Sequence, residues 1–459
     1  MSIVEKVKNK EIIIGLSPMD GVTDCAYREI CKIHGNADLI YTEFQNVHGM
    51  CLGAERIFEH FEYTENQRTI LSQIYGQEVE YYYPAAMLCF LMGFDGVDIN
   101  MGCPAKKISD RGAGAGLIRY PETAKKIIQE VKRARKDFIS FVGAAPVGAL
   151  LNHDTNAGHP SRLYREVPLQ DILYFLKSCT PFEPEINSWE SLQIKWEKLL
   201  KICEGLTKKW EVNSLLNPLK LLPLIPINSE SGNRDEGAGG GAKNLTVSVK
   251  TRIGYDTPIL EKWILEILSQ DIDFLCVHGR TLKQMYTGTA DWEEIARGIK
   301  TARANGYTLP IFANGDIKSV DDALKCIQVT GADGLLVGRG TYGDPELIND
   351  IKSKFTTAEP MMQRLPLNPD SNNSLVGIEG VGGGAQTPYE PTKLTQEKIN
   401  LILEHCSLFE KFKGPSQFFQ MRKVLGWYIS GIDNGVEIRK ELYQSNSKAE
   451  VEKILEKYS

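Results

Sequence analysis

The stretch DINMGCPAKK, residues 98–107, sets a carboxamide, Asn100, three residues before a thiol, Cys103, on a turn stiffened by Pro104. A thiol has a reference pKa of about 8.5, so at neutral pH it is mostly protonated and is a ready proton donor. As a nucleophile it would need a partner base, which the local sequence does not identify. Lys106 and Lys107 follow; they read as solvated helix-start residues or as phosphate contacts.

Other chemistry-bearing residues recur at the ends of apolar runs. Pro18 and Met19 close one run and Gln73 another. Lys250 and Arg252 sit in VSVKTRIG, His278 and Arg280 in VHGR. Asn314, Gly315 and Asp316 form ANGD, and Gly338 and Arg339 belong to VGRG. The two glycine turns let backbone N–H groups approach an anion, with Arg339 as a charge-assisted donor, which is the chemistry of a phosphate site. Lys250 lies on a buried-strand pattern and needs an anionic or electron-rich partner. An apolar Met19 and the two-sided amide of Gln73 suit a flat heterocycle. Flavin mononucleotide (FMN) meets both halves of this description.

These residues must be brought to one place. Eight β-rich runs carry them: EIIIGLSPMDG, DLIYTEF, TILSQIYG, GVDINMGC, VSVKTRIG, FLCVHGRT, PIFANGD and GLLVGRG. Helix-like segments such as TDCAYREICKIHG, ETAKKIIQEVKRARKD, LEKWILEILSQ and SVDDALKCIQVTG lie between several of them. Such alternation predicts parallel pairing, and eight runs predict an α/β fold of the (β/α)8 TIM-barrel type, with an open doubly wound sheet as the alternative. In a barrel every one of these strand ends converges on one mouth. The apolar run FISFVG is spare and falls to the interruption that follows.

The chain has 459 residues, a formal net charge of −6 and 42% hydrophobic residues, enough for a large core. Its charge gives no general support to nucleic-acid binding. Residues 391–459, however, hold eleven Lys and Arg against nine Asp and Glu, a mildly basic tail on an acidic body. Ten cysteines occur without a CxxC pair, which speaks for neither a metal site nor a disulfide scaffold. No secretory signal and no membrane-length apolar stretch is present, so a cytoplasmic protein without membrane association is expected.

SPMDGVTD, SQIYG, DINMGCPAKK, VKTRIGYD, VHGRT, ANGD and VGRG, in this order, resemble the tRNA-dihydrouridine synthase family. LILEH, MRKVLGWYISG and EIRKEL resemble its C-terminal helical domain. The resemblance implies FMN reduced by NADPH, hydride delivered from flavin N5 to C6 of a uridine in tRNA, and a proton given to C5 by Cys103. It implies Asn100 beside the target base and Pro18 and Met19 under the flavin. Gln73 falls at the flavin's pyrimidine edge and Lys250 near N1 and O2. His278, Asn314, Gly315, Asp316, Gly338 and Arg339 fall on the ribityl and phosphate groups. Arg252, Arg280, Arg422 and Lys423 are expected to contact substrate, no metal is implied, and a monomer is expected. Trp427 and Tyr428 read as helix core, with base stacking as the other reading. Two rivals stand beside this one: a flavin barrel acting on a free pyrimidine-like molecule, and a tRNA-binding homologue without turnover.

The chain departs from the family pattern in several places. Asp20 stands where a small residue is usual, and Val424 where a histidine is common. A long insertion, about 140–244, separates the fourth and fifth runs, and a Gly- and Pro-rich segment, 356–395, reads as a flexible linker. The expected organisation is a barrel over 1–355, the linker, and a helical tRNA-binding domain over 396–459.

Overall fold

The computed structural model describes residues 3–9, 11–144, 168–179, 188–212, 245–357 and 392–459, with the single positions 181, 214 and 216. Among the described residues nine strands form one sheet: β1 (Ile13–Leu16), β2 (Ile40–Tyr41), β3 (Gln45–Asn46), β4 (Ile70–Tyr75), β5 (Gly96–Met101), β6 (Thr246–Gly254), β7 (Phe274–Thr281), β8 (Ile311–Asn314) and β9 (Gly334–Val337). They lie in the order β1-β9-β8-β7-β6-β5-β4-β2, with β3 also paired to β4, and all pairings are parallel. The remaining gap is bridged by backbone. Leu16 N–H donates to the Leu39 carbonyl and Asp38 N–H to the Ile14 carbonyl, both at 2.9 Å. The expected barrel is therefore closed, and the open-sheet alternative falls away.

The second run holds β2, and a further short strand, β3, follows just past its end at the same barrel position. Tyr41 pairs with Leu71 and Gln45 with Ile74, so four steps on one side face three on the other, a one-residue bulge. The bulge carries Glu43, whose carboxylate accepts from Gly21 N–H at 2.6 Å and lies 3.3 Å from His60 Nδ1. It thereby ties the turn after β1 to the second strand position.

Alternation along each strand sorts side chains between the barrel axis and the outer helices. The lower axis is filled by Ile13, Leu39, Leu71, Phe274 and Phe312, with Ile3 of the short helix Ile3–Lys8 joining them. Helix ends follow local chemistry. Asp24 and Ser319 accept the Tyr27 and Asp322 N–H groups at their helix starts, and Gly331, at φ 63°, ends Val320–Thr330.

FISFVG is not part of the interruption; it is the last stretch of the helix Pro121–Ala144. Phe138 and Val142, one turn apart, are buried, and Phe141 stacks on Phe175 of the insertion helix Leu169–Ser178 at 4.3 Å. The insertion leaves after this helix rather than at a strand's C-terminal end. Its described parts pack on the barrel's flank, with Trp189 stacked on Tyr83 at 5.4 Å and Trp210 against Tyr63. Most of the expected linker, residues 358–391, lies outside the described residues.

The C-terminal region is helical as expected: Gln396–Lys413, Met421–Tyr428, Gly435–Leu442 and Lys448–Glu456. It docks on the barrel through Trp427, which stacks on Tyr342 at 3.7 Å and 3°. Gly343, at φ 73°, makes this possible, since a Cβ there would collide with the Trp427 carbonyl oxygen. Tyr428 is buried and pairs with His405 Nδ1 at 2.9 Å, so both aromatics serve packing rather than base stacking. Val424 likewise turns inward. Burial lowers His405 to about 3, keeping it neutral. Tyr428→Phe should cost about 1–3 kcal/mol by leaving the His405 nitrogen unpaired, read as a lower denaturation midpoint with an unchanged m-value.

Candidate active site

The register of the sheet explains why the expected residues converge. Gln73, Asp98 and Ser248 are neighbours in one row across β4, β5 and β6. Asn100 and Lys250 form the next row, and Arg252, His278, Asn314 and Leu336 a further one. Successive residues of the same face stack upward along each strand. Above the apolar floor comes a polar layer, and above that a cavity of about 690 Å³ at the C-terminal ends of the strands.

Fourteen of the sixteen expected residues line this cavity. On one side stand Pro18, Met19, Gln73, Asn100 and Cys103. On the other stand Lys250, Arg252, His278, Asn314, Gly315, Asp316, Gly338 and Arg339, and Lys423 reaches in from the C-terminal helices.

Cys103 is 6% exposed, and its thiol is pushed above the ordinary range, chiefly by burial. The Ala105 backbone N–H, Arg252 and Lys250 oppose that shift, while Asp20 adds to it. The thiol therefore holds its proton at neutral pH. Its loop is fixed by Asn100, whose Oδ1 accepts from the Gly102 and Cys103 N–H groups at 3.0 and 2.8 Å. Alkylation of Cys103 by iodoacetamide should accelerate only above the pH at which a free thiol does, about 8.5, as followed by peptide mass mapping against pH. A midpoint below that value would contradict the environment described.

Across the cavity, Lys250 Nζ donates to Asn314 Oδ1 at 3.0 Å, and Asn314 Nδ2 donates to the Leu336 carbonyl at 2.7 Å. Burial lowers Lys250, and it lowers Arg252 to about 10, so Arg252 remains a cation at neutral pH. Arg252 is pinned by the carbonyls of Gly102, Thr281 and Met285. His278 is driven well below its ordinary range, first by burial and then by Arg252, Lys250, Arg280 and Arg339. It is a neutral imidazole at neutral pH, a hydrogen-bonding group rather than a cation.

The glycine turns make a cradle. Gly315 has φ 121°, and a Cβ on it would approach His278 Cδ2 to 2.9 Å. Gly338 faces Met19 and Ser17 across the cavity wall. Asp316 does not present its carboxylate to the cavity alone. It accepts from Arg280 at 2.6 Å, from Ala290 N–H at 2.7 Å and from Arg339 at 3.3 Å. Burial pushes this carboxyl up, but those hydrogen bonds and the two guanidinium charges hold it below the ordinary range.

Two expected substrate contacts sit elsewhere. Arg280 is 1% exposed and absent from the cavity lining; its guanidinium binds Asp316 and the Thr287 and Gly288 carbonyls, so it holds loops together. Arg422 bonds the Ser445 carbonyl and Asn446, tying the last helices to their neighbours. For Arg280 a carboxylate and carbonyls within the protein take the cation, partners invisible in a linear motif, whereas Arg422 lies on the C-terminal helices where it was expected, half-buried.

Other cavity residues were not singled out in advance as site residues. Asp20 is exposed in the cavity wall, where Glu43, His60 and Lys423 act on its charge. Tyr286 and Tyr342 line the rim, with Arg339 over the Tyr286 ring at 5.6 Å. Asp98 and Ser248 lie beneath the cavity, at 0% exposure. Their signal was present in the strand alternation, which places both on the axis-facing side.

Residues 15–141 and 241–368 match the protein family described as "Dihydrouridine synthase (Dus)". The chain is 23% identical over 445 residues to a probable tRNA-dihydrouridine synthase 1 of Synechocystis, covering 96% of this chain and 84% of that one. It is also 23% identical to a probable tRNA-dihydrouridine synthase of Staphylococcus aureus, covering 96% and 92%. Among solved structures, an old yellow enzyme homologue from Zymomonas mobilis overlaps 76% of this chain and 89% of its own at 12% identity and TM-score 0.33, a likeness too slight to bear on chemistry. Among the described residues, no helix is long and apolar enough to cross a membrane.

Proposed function

The chain belongs to the dihydrouridine synthase family, whose pattern spans more than half of it, and from that premise we propose that it reduces the C5=C6 bond of uridines in tRNA to 5,6-dihydrouridine. The observation that carries this reading is the placement of Cys103. A thiol kept protonated by burial shares one cavity with a cationic, glycine-turned wall.

FMN fits that wall. Arg339 and the backbone of the two glycine turns suit its phosphate, and Gly315 leaves room that any side chain would fill. Met19 offers an apolar surface. Gln73 retains one N–H and one lone pair after its contacts with Asp98 and Asn100. When bound, the flavin, recharged by NADPH, supplies the hydride added at C6 of the base.

The protein's own groups do the rest. Hydride addition leaves an electron pair at C5, and the Cys103 thiol supplies the proton that quenches it, leaving a thiolate that solvent reprotonates. Lys250 and Arg252 lower the cost of that thiolate. The neutral His278 ring and the Lys250–Asn314 pair order the polar edge of the site. A base must leave its stack to reach this depth, at a cost of a few kcal/mol. Lys423, brought to the rim by the C-terminal helices, is a natural phosphate contact that offsets part of it.

The test is an absorbance spectrum of the purified protein, then anaerobic titration with NADPH and reoxidation by unmodified tRNA. Bleaching of a flavin band that unmodified tRNA restores supports the proposal. Reoxidation by a free pyrimidine but not by tRNA would move the assignment to the small-molecule rival. Protein that cannot be loaded with FMN would end the reductase reading.

A further inference from the structure

Three side chains at 0% exposure lie in one row of the sheet, Gln73 at the cavity floor and Asp98 and Ser248 beneath it. Asp98 Oδ1 accepts from Ser248 Oγ at 2.5 Å, and Oδ2 accepts from Gln73 Nε2 at 2.7 Å. Gln73 Oε1 accepts from Asn100 Nδ2 at 2.9 Å. Asn100 Oδ1 then accepts the Gly102 and Cys103 backbone N–H groups. The hydrogen bonds run from β6 through β5 and β4 and back to the Cys103 loop.

We propose that Asp98 is a positioning residue that supplies the acceptor on which this chain of hydrogen bonds ends and thereby holds the Cys103 loop in place. The inference rests on the reading of Cys103 as the reacting thiol. Its physical basis is donor and acceptor inventory. An ionised carboxylate only accepts, and a backbone N–H only donates, whereas the Gln73 and Asn100 amides can each be turned end for end. Fixed ends of opposite kind leave one arrangement of the two amides between them. With either amide turned, two donors or two acceptors would face each other in a dry interior, at about 1–3 kcal/mol for each unsatisfied group.

Other groups bear on Asp98: Lys250 stabilises its charge, and Tyr41 and Cys276 face it from β2 and β7. Burial is the dominant influence and raises the carboxyl to about 6. The Ser248 and Gln73 hydrogen bonds and Lys250 work against it, leaving the carboxylate the majority form at neutral pH.

The test moves the carboxylate along the chain. In Asp98→Asn, the new amide nitrogen turns to Ser248, whose hydroxyl oxygen accepts it while its own O–H loses the carboxylate it donated to, and the amide oxygen still takes the Gln73 N–H; the chain from Gln73 to the loop survives. In Asn100→Asp, the carboxylate still accepts the loop N–H groups, but its other oxygen demands a donor. Gln73 must turn, and its Oε1 then faces the Asp98 carboxylate. In the double variant, the amide introduced by Asp98→Asn donates through its nitrogen to the turned Gln73 Oε1, and its oxygen takes the Ser248 hydroxyl, so every group is satisfied again.

Full-length protein as purified is measured two ways: thermal midpoint, and the iodoacetamide rate of Cys103 by peptide mass mapping. Asp98→Asn is expected within about twofold of the parent in alkylation rate. Asn100→Asp is expected to change that rate at least fivefold and to lower Tm by at least about 4 °C. The double variant should return within twofold and recover most of the Tm. If Asn100→Asp is insoluble, recovery of soluble protein in the double variant is the readout. A double variant worse than either single would overturn the proposal and leave Asp98 a plain packing residue. These readouts need no tRNA, so loss of the dihydrouridine reading through the reoxidation experiment is distinguishable from loss of this one.

Discussion

Cys103→Ala is expected to lower dihydrouridine formation on unmodified tRNA by two to four orders of magnitude, the usual worth of a positioned general acid, about 10²–10⁴-fold. Flavin content and its reduction by NADPH should stay near the parent values. The separation follows from the geometry. The thiol stands on the Gly102–Pro104 turn after β5, while the groups assigned to the phosphate sit on the turns after β8 and β9. Alanine removes only sulfur at a site already 6% exposed, and the loop keeps its anchor because Asn100 bonds the backbone N–H of residue 103 and not its side chain. Cys103→Ser is a sharper version. A hydroxyl is a far weaker acid than a thiol, so it should restore shape without restoring rate. Turnover unchanged in both variants would remove Cys103 from the chemistry and direct attention to Asp20 or solvent as proton source.

The division between what the sequence made legible and what it did not has a physical basis. Strand ends were readable because β-branched runs that stop in polar or glycine-rich turns carry both their period and their terminus locally. Thus Asn100, Lys250, His278, Asn314 and Gly338 fell on one mouth as expected. Less readable were the partners of two arginines, Arg280, which does not line the cavity, and Arg422, on the C-terminal helices. Arg280 and Arg422 have long, cationic side chains whose partners, Asp316 and the Ser445–Asn446 turn, lie 36 and 23–24 residues away. Their choice among acceptors is settled only in three dimensions. The bulge between β2 and β3 was hidden for a similar reason, since a one-residue mismatch exists only against the partner strand. Asp98 was overlooked for a different reason. It sits inside the most informative motif of the chain, two residues from Asn100, and alternation puts it on the same axis-facing side, but alternation alone does not say what a carboxylate there would bond. Its neighbours Gln73 and Ser248, which give it purpose, come from other strands.

Gly315→Ala is expected to yield protein that purifies without flavin and binds added FMN at least about 100-fold more weakly, a loss of about 2.7 kcal/mol. Two effects act at once. The residue has φ 121°, where an L side chain is strained by about 1–3 kcal/mol, and its Cβ would lie 2.8 Å from Ala290 Cβ and 2.9 Å from His278 Cδ2. Relief requires movement of the His278 ring or of the turn, and both line the cavity. The turn cannot shift alone, because Asp316 next to it is held by Arg280, Ala290 and Arg339. Gly331→Ala separates strain from site. That glycine has φ 63° at the end of the helix Val320–Thr330, with nothing within 4 Å of an added Cβ. It should lower Tm while leaving flavin affinity within twofold. Equal losses of flavin in the two variants would mean that general destabilisation releases the cofactor. Retention of full affinity in Gly315→Ala would move the phosphate from this turn to the one after β9, where Gly338 and Arg339 would have to hold it.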